Sequence, residues 1–245
     1  MSDVVDQVCA DWPAPANVVA GCTLRTGGVS TGPYASLNLG AHVGDEAAAV
    51  RENRSRFVAA LGLPAEPDWI SQVHGTAVAR DAGPGAEADA SVTSIAGKAC
   101  AVMVADCLPV LFAAADGSEV GAAHAGWRGL ASGVLENTVR AFQAPPGDLL
   151  AWLGPAISAA NFEVGEEVRD AFLAKDPAAI ACFTANAASR WQADLYGLAQ
   201  QRLRAAGVHR VYGGGYCTYG DPGRFFSYRR DGRCGRLAAY VFRQP

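Results

Sequence analysis

Three residues of this chain can share one metal ion. They are His74 in Ser71-Gln72-Val73-His74-Gly75, Cys107 in Ala105-Asp106-Cys107-Leu108-Pro109, and His124 in Ala123-His124-Ala125-Gly126-Trp127-Arg128-Gly129. Each stands at or near the end of an apolar, strand-like run. Two imidazoles and one thiolate fill three of zinc's four tetrahedral positions, and an open fourth position distinguishes catalytic from structural zinc. The same three residues are therefore the candidate catalytic groups.

Taken singly, each residue is weak evidence. A lone histidine is more often a hydrogen-bonded core or surface residue, and a buried cysteine usually behaves as a small hydrophobe. His124 carries more weight because a Gly-Trp-Arg-Gly bend follows it and opens a helix, whose N-terminus can receive an anion. Arg128 in that bend is a candidate bidentate donor to phosphate or carboxylate. Arg25, beside Thr26-Gly27-Gly28, is a second candidate anion site, and Asn38 can read a polar substrate edge. Asp106 can orient a ligand from behind. His42 lies close enough in sequence to Asn38 to approach the same site. Cys9, Cys22, Cys100, Cys182, Cys217 and Cys234 have no ligand spacing and read as packing residues.

The elements that must position these groups follow from periodicity and breakers. Val18–Thr23 reads as a strand, Ser30–Gly44 as an irregular segment, and Asp45 as the N-cap of a helix that runs to about Leu61 and ends at Gly62. Trp69–Val73 reads as a short strand delivering His74. Cys100–Val104, Val110–Ala114 and Glu119–Ala123 read as successive antiparallel-capable strands, with a break at Asp106–Pro109. A helix carrying Leu130, Val134, Leu135, Val139 and Phe142 follows. Leu149–Leu153 reads as a strand, Glu163–Leu173 and Arg190–Ala206 as helices, and Val208–Tyr212 and Arg236–Phe242 as the closing strands. No repeat or long linker divides the chain, so the expectation is one α+β domain over residues 1–245.

Composition narrows the function classes. The chain has 245 residues, half of them apolar and 18% charged, with a net charge of -4. That charge argues against a nucleic-acid-binding surface, which normally shows a basic stripe. No apolar run is long enough to read as a transmembrane helix. The N-terminus has no basic region ahead of an apolar core, so no secretory signal is expected. Seven cysteines without Cys-x-x-Cys pairs fit a reducing cytoplasm better than a disulfide framework.

A wider set of ordered motifs surrounds the three ligands. They are Thr23-Leu24-Arg25-Thr26-Gly27-Gly28-Val29-Ser30, Ser36-Leu37-Asn38-Leu39-Gly40, Leu153-Gly154-Pro155-Ala156-Ile157, Phe162-Glu163-Val164-Gly165 and Phe226-Ser227-Tyr228-Arg229-Arg230-Asp231-Gly232. With the three ligand motifs, they resemble the family described variously as YfiH-like, laccase-domain or polyphenol oxidase, peptidoglycan editing factor and purine nucleoside phosphorylase. One departure is Cys234, where the family pattern leads us to expect Thr.

The resemblance implies a mixed α/β sandwich related to cysteine-hydrolase-like folds, with His74, Cys107 and His124 as zinc ligands. It implies phosphorolysis of purine nucleosides, including a methylthioadenosine type, and hydrolytic deamination of adenosine. The implied partners are a nucleoside and phosphate, with neither nucleic acid nor membrane. Two rivals stand beside this reading. A peptidoglycan-precursor editing hydrolase, removing a wrong amino acid from a muramyl peptide, would use Cys107 as nucleophile with His74 or His124 as base. A copper-dependent polyphenol oxidase would need a mononuclear centre plus a trinuclear cluster, far more than four histidines can supply.

Overall fold

Strands that are apolar at successive positions, and hence on both faces, must be covered on both sides. In the computed structural model, which describes residues 5–81 and 83–244, this requirement produces two sheets packed face to face. Residues 1–4, on which the reading of the N-terminus partly rests, lie outside the described residues.

The first sheet has the order β1 (Gln7–Cys9), β2 (Val18–Thr23), β13 (Leu237–Arg243), β5 (Ala99–Val104), all antiparallel. The second has the order β12 (Arg210–Gly213), β8 (Leu149–Leu153), β6 (Leu108–Ala114), β7 (Val120–Ala125), β4 (Ala90–Thr93), β3 (Val78–Arg80). Its β12–β8 and β3–β4 pairs are parallel and the others antiparallel. A small sheet of β9 (Glu163–Val164), β10 (Phe183–Ala185) and β11 (Trp191–Ala193) completes the strands.

The period of two sorts the core into layers. Val102 and Val104 of β5 meet Leu111, Ala113, Val120, Ala122 and Trp152 between the two large sheets. Ala101 and Met103, on the other face of β5, join Tyr240, Leu37, Leu39 and Phe57 of α1 (Ala47–Leu61). The outer face of the second sheet presents Val110, Phe112, Ala123 and Leu153. These pack with residues of α2 (Trp127–Ser132), α3 (Val134–Ala141), α4 (Glu166–Leu173) and α5 (Leu195–Ala205). The architecture is mixed α/β with several sheets. Among the described residues no helix is long and apolar enough to cross a membrane.

Several sequence expectations are corrected. The Cys100–Ala123 strands do not pair in succession: β5 belongs to the first sheet, while β6 and β7 pair in the second. The Asp106 break is thus a crossing between sheets, and Asp106 takes a left-handed backbone, φ 88°. Pro109 lies inside β6 rather than ending it. Its O accepts from Gly154 N at 2.9 Å, so the missing proline N–H faces β8 rather than β7, and Gly154 O accepts from the Tyr196 hydroxyl at 3.1 Å instead.

The Leu130–Phe142 helix is divided into α2 and α3 at Gly133, φ 107°. Helix α5 starts only after Asp194, whose side chain accepts from Tyr196 N, and Trp191 sits in β11 instead. Glu163 likewise precedes α4 as part of β9. Trp69–Val73 makes only an isolated bridge, between Ser71 and Glu87. Asp45 stands one residue before the Glu46 N-cap of α1, its carboxylate engaged by Ser30 and Asn38.

The inter-sheet layer should dominate stability. Leu111→Ala is expected to cost about 2–5 kcal/mol. Ile95→Ala, at an exposed site, should stay within about 0.5 kcal/mol of the parent protein. Denaturant unfolding of both variants checks the contrast.

Candidate metal centre

The crossing from β5 to β6 puts Cys107 at the end of the second sheet where β7 also finishes, bringing it to His124. His74 arrives from a separate loop, held by two devices. Gln72 clamps the main chain of Met103 on the edge strand β5, donating to its carbonyl at 2.9 Å and accepting from its N–H at 2.8 Å. Asp89 then gathers three consecutive N–H groups, from Val73 at 3.2 Å, His74 at 2.9 Å and Gly75 at 2.6 Å. That wrap holds His74 in a left-handed backbone, φ 61°.

Asp89 also accepts from His124 Nδ1 at 2.8 Å. One carboxylate therefore orients two of the three candidate ligands. With Nδ1 engaged, His124 keeps Nε2 for a metal, the usual arrangement when a carboxylate backs a ligating histidine.

Cys107 Sγ lies 3.9 Å from His74 Nε2, and the two imidazole rings meet edge to face with centroids 4.8 Å apart. The ligand atoms of all three residues lie within 4.8 Å of one another. Tetrahedral zinc with these ligands needs them roughly 3.3–3.7 Å apart, so small side-chain movements close the set. A glycine is required beside it: a Cβ at Gly126 would stand 2.9 Å from His74 Cδ2 and 3.2 Å from Cys107 Sγ. The residues present fit a metal ion.

The electrostatics favour a charged site before any metal binds. Burial opposes ionisation of Cys107, but the positive charge of His124 and hydrogen bonds from His124 and His74 outweigh it, bringing the thiol down to about 6. Burial likewise opposes charge on His124. The Cys107 thiolate and the Asp89 carboxylate overcome it and push the imidazole up to about 9. At neutral pH the three groups are thiolate, imidazolium and carboxylate.

The ligands stand on a cleft of about 560 Å³, whose wall includes His42, Gln72, Met103, Tyr228 and Arg236. His42 reaches it, as the sequence suggested. Arg25, Asn38 and Arg128 are not among its lining residues. Arg25 donates to Ala35 O and Pro222 O and lies over Phe226, so it fastens loops together. Asn38 is fully buried and accepts from Gly40 N and Arg236 N, so it shapes the wall from behind. Arg128 is exposed, its guanidinium over Trp127.

Asp106 touches no candidate ligand through its carboxylate. It accepts from Thr218, Ser227 and Arg229 N, tying Cys107's turn to the segment that carries Tyr228. Sequence reasoning missed Asp89, Tyr228 and Arg236 as site residues. Asp89 has no local signal, since an aspartate before a short strand is ordinary. Arg236 stood beside the noted Cys234 departure without being linked to the cleft.

Two outcomes follow from this geometry. Zinc binding at pH 7.5 should release about one proton, because the thiol is already ionised and His124 must lose its proton. The number should rise as pH falls through about 6, where Cys107 regains its proton, and vanish above about 9, where His124 is already neutral. Calorimetry in buffers of different ionisation enthalpy reads it. Asp89→Asn should weaken zinc affinity roughly 10- to 100-fold, measured by competition with a chromogenic chelator.

Comparison with known proteins agrees with the motifs. A family described as multi-copper polyphenol oxidoreductase laccase matches residues 19–244. A Pseudomonas aeruginosa protein named purine nucleoside phosphorylase is 53% identical over 96% of this chain and 97% of its own length. The Escherichia coli purine nucleoside phosphorylase YfiH is 51% identical, covering 96% and 98%. A Neisseria meningitidis DUF152 protein of solved structure superposes with a TM-score of 0.93 at 50% identity, covering 98% of this chain and all of that one. YlmD of Geobacillus stearothermophilus gives 0.87 at 32% identity, covering 95% and 94%. The chain belongs to this laccase-like YfiH/DUF152 family, whose close relatives are named purine nucleoside phosphorylases.

Proposed function

We propose that this protein is a zinc-dependent purine nucleoside phosphorylase, with adenosine deamination and methylthioadenosine phosphorolysis as further activities, working in the cytoplasm on small molecules. The observation that carries the reading is the convergence of His74, Cys107 and His124 on one cleft. The cleft's size suits a nucleoside with phosphate, and the names of the close relatives point the same way. Zinc bound there would supply Lewis-acid polarisation and activation of water.

The chain's own residues do the rest. Met103, Val104 and Ile70 give the cleft an apolar side for a base. Phosphorolysis joins a phosphate oxygen to C1′ as the bond from C1′ to the base breaks, so it needs a cation in the cleft. Arg236 takes that role in place of Arg25 and Arg128: its Nη1 is fixed by the carbonyls of Cys234 and Gly235. His42 is kept uncharged at neutral pH by burial and by the charges of Arg236 and Arg54, so it offers a neutral hydrogen-bonding group.

Copper is the alternative ion at the same three residues. A multicopper oxidase mechanism fits poorly, because the described residues offer one cluster of this kind and the chain has four histidines. One observation favours a second reading. Without metal, Cys107, His124 and Asp89 form a thiolate–imidazolium–carboxylate row, the arrangement of a cysteine hydrolase. That row would suit editing of a peptidoglycan precursor: Cys107 Sγ would take the acyl group as the amide bond to the wrong amino acid breaks, His124 would protonate the departing amine, and water would then hydrolyse the thioester.

Metal-quantified protein incubated with adenosine, with and without phosphate, separates the readings. Adenine and ribose 1-phosphate indicate phosphorolysis, inosine indicates deamination, and neither product favours the editing hydrolase. His74→Ala should lose bound zinc and phosphorolysis together. If it keeps both, the site assignment is wrong.

A further inference from the structure

The fold leaves one large aromatic ring mostly exposed at the cleft. Tyr228 is 62% exposed and lines the same cavity as His74, Cys107 and His124. Its main chain is nevertheless firmly held at the start of α6 (Tyr228–Asp231). Ser227 Oγ and Arg229 N, one residue to either side, both bond to Asp106 Oδ2, at 3.0 and 2.6 Å. Ser227 also caps the short helix by accepting from Arg230 N, and Tyr228 O accepts from Gly232 N at 2.8 Å. Asp106 is buried and precedes Cys107 directly. The ring is thus referenced to the ligand cluster through one residue.

An exposed ring on a fixed backbone loses little freedom when a flat partner covers it, and it gains the burial of its face. Stacking of a base on an aromatic side chain changes affinity roughly 5- to 150-fold. The surroundings specify the partner further. The Arg236 guanidinium lies over the ring, 5.9 Å from its centroid, with its Nη1 anchored to main-chain carbonyls. A planar group with an anion beside it fits this pair, whereas an aliphatic ligand would leave the ring face unused.

We propose that Tyr228 is the stacking platform for the purine ring and determines specificity through its ring face rather than its hydroxyl. This rests on the purine nucleoside reading above. Inosine without phosphate is the probe, since it lacks the 6-amino group and cannot be phosphorolysed. Its dissociation constant is measured by calorimetry on zinc-loaded full-length protein, Tyr228→Phe and Tyr228→Leu, with zinc content determined for each.

The Phe variant should bind within about twofold of the parent, and the Leu variant roughly tenfold or more weakly. With phosphate present, Tyr228→Leu should raise KM for inosine with little change in kcat or in KM for phosphate, the mark of lost uniform binding. Unchanged binding by the Leu variant would overturn the proposal, as would a Phe variant as weak as Leu. Loss of zinc from the Leu variant would also overturn it, because the effect would then arise at the metal ligands. No inosine binding by the parent protein would remove the nucleoside reading itself and the proposal with it.

Discussion

A buried carboxylate holds this site together. Asp89 is fully inaccessible to solvent, and a buried charge is expensive unless partners surround it. Its partners come from two places: three main-chain N–H groups of residues 73–75, and the imidazole of His124 on β7. Satisfying one charge therefore fixes the loop to the sheet. It also accounts for the left-handed backbone of His74, since three successive N–H groups converge on one carboxylate only if the chain turns sharply. Two ligands are preset by the protein, and Gly126 leaves them the space to meet Cys107.

Asp106 does for the cleft wall what Asp89 does for its floor. Its carboxylate gathers Thr218, Ser227 and the main chain of Arg229, which are more than a hundred residues away in sequence. The sheet crossing at this residue sends Cys107 toward the metal cluster while its side chain reaches the C-terminal segment. Packing of the two sheets thus has a chemical consequence. If β5 had paired with β6, as their adjacency suggested, Asp106 would sit in a simple hairpin and the two walls would have no common anchor.

The Gly-rich N-terminal motif supports the site without entering it. Arg25 fastens the loop of Ala35 to that of Pro222, and Asn38 receives the N–H of Arg236 just before β13 begins. These contacts place the cationic residue that does face the cleft. Guanidinium and amide groups in an irregular segment look like ligand readers, but a buried loop has carbonyls and N–H groups that must be satisfied first. Here those internal demands engage Arg25 and Asn38.

How much was legible from sequence follows from the range of each interaction. Residue types and local periodicity marked His74, Cys107 and His124. They also set strands β2 and β8 within their observed limits and placed α1 to within one residue at its start and to Gly62 at its end. Those features depend on neighbours a few residues apart. Sheet membership of β5, the division at Gly133 and the start of α5 depend on distant packing and on backbone geometry that composition does not fix. Asp89 was unreadable because its meaning lies 35 residues away, at His124, and a partner at that range is chosen by strand pairing. The sequence by itself determined which atoms can bind a metal. Only the tertiary structure decided that a buried carboxylate aims two of them, because the cost of hiding that charge is met by groups the fold brings from elsewhere.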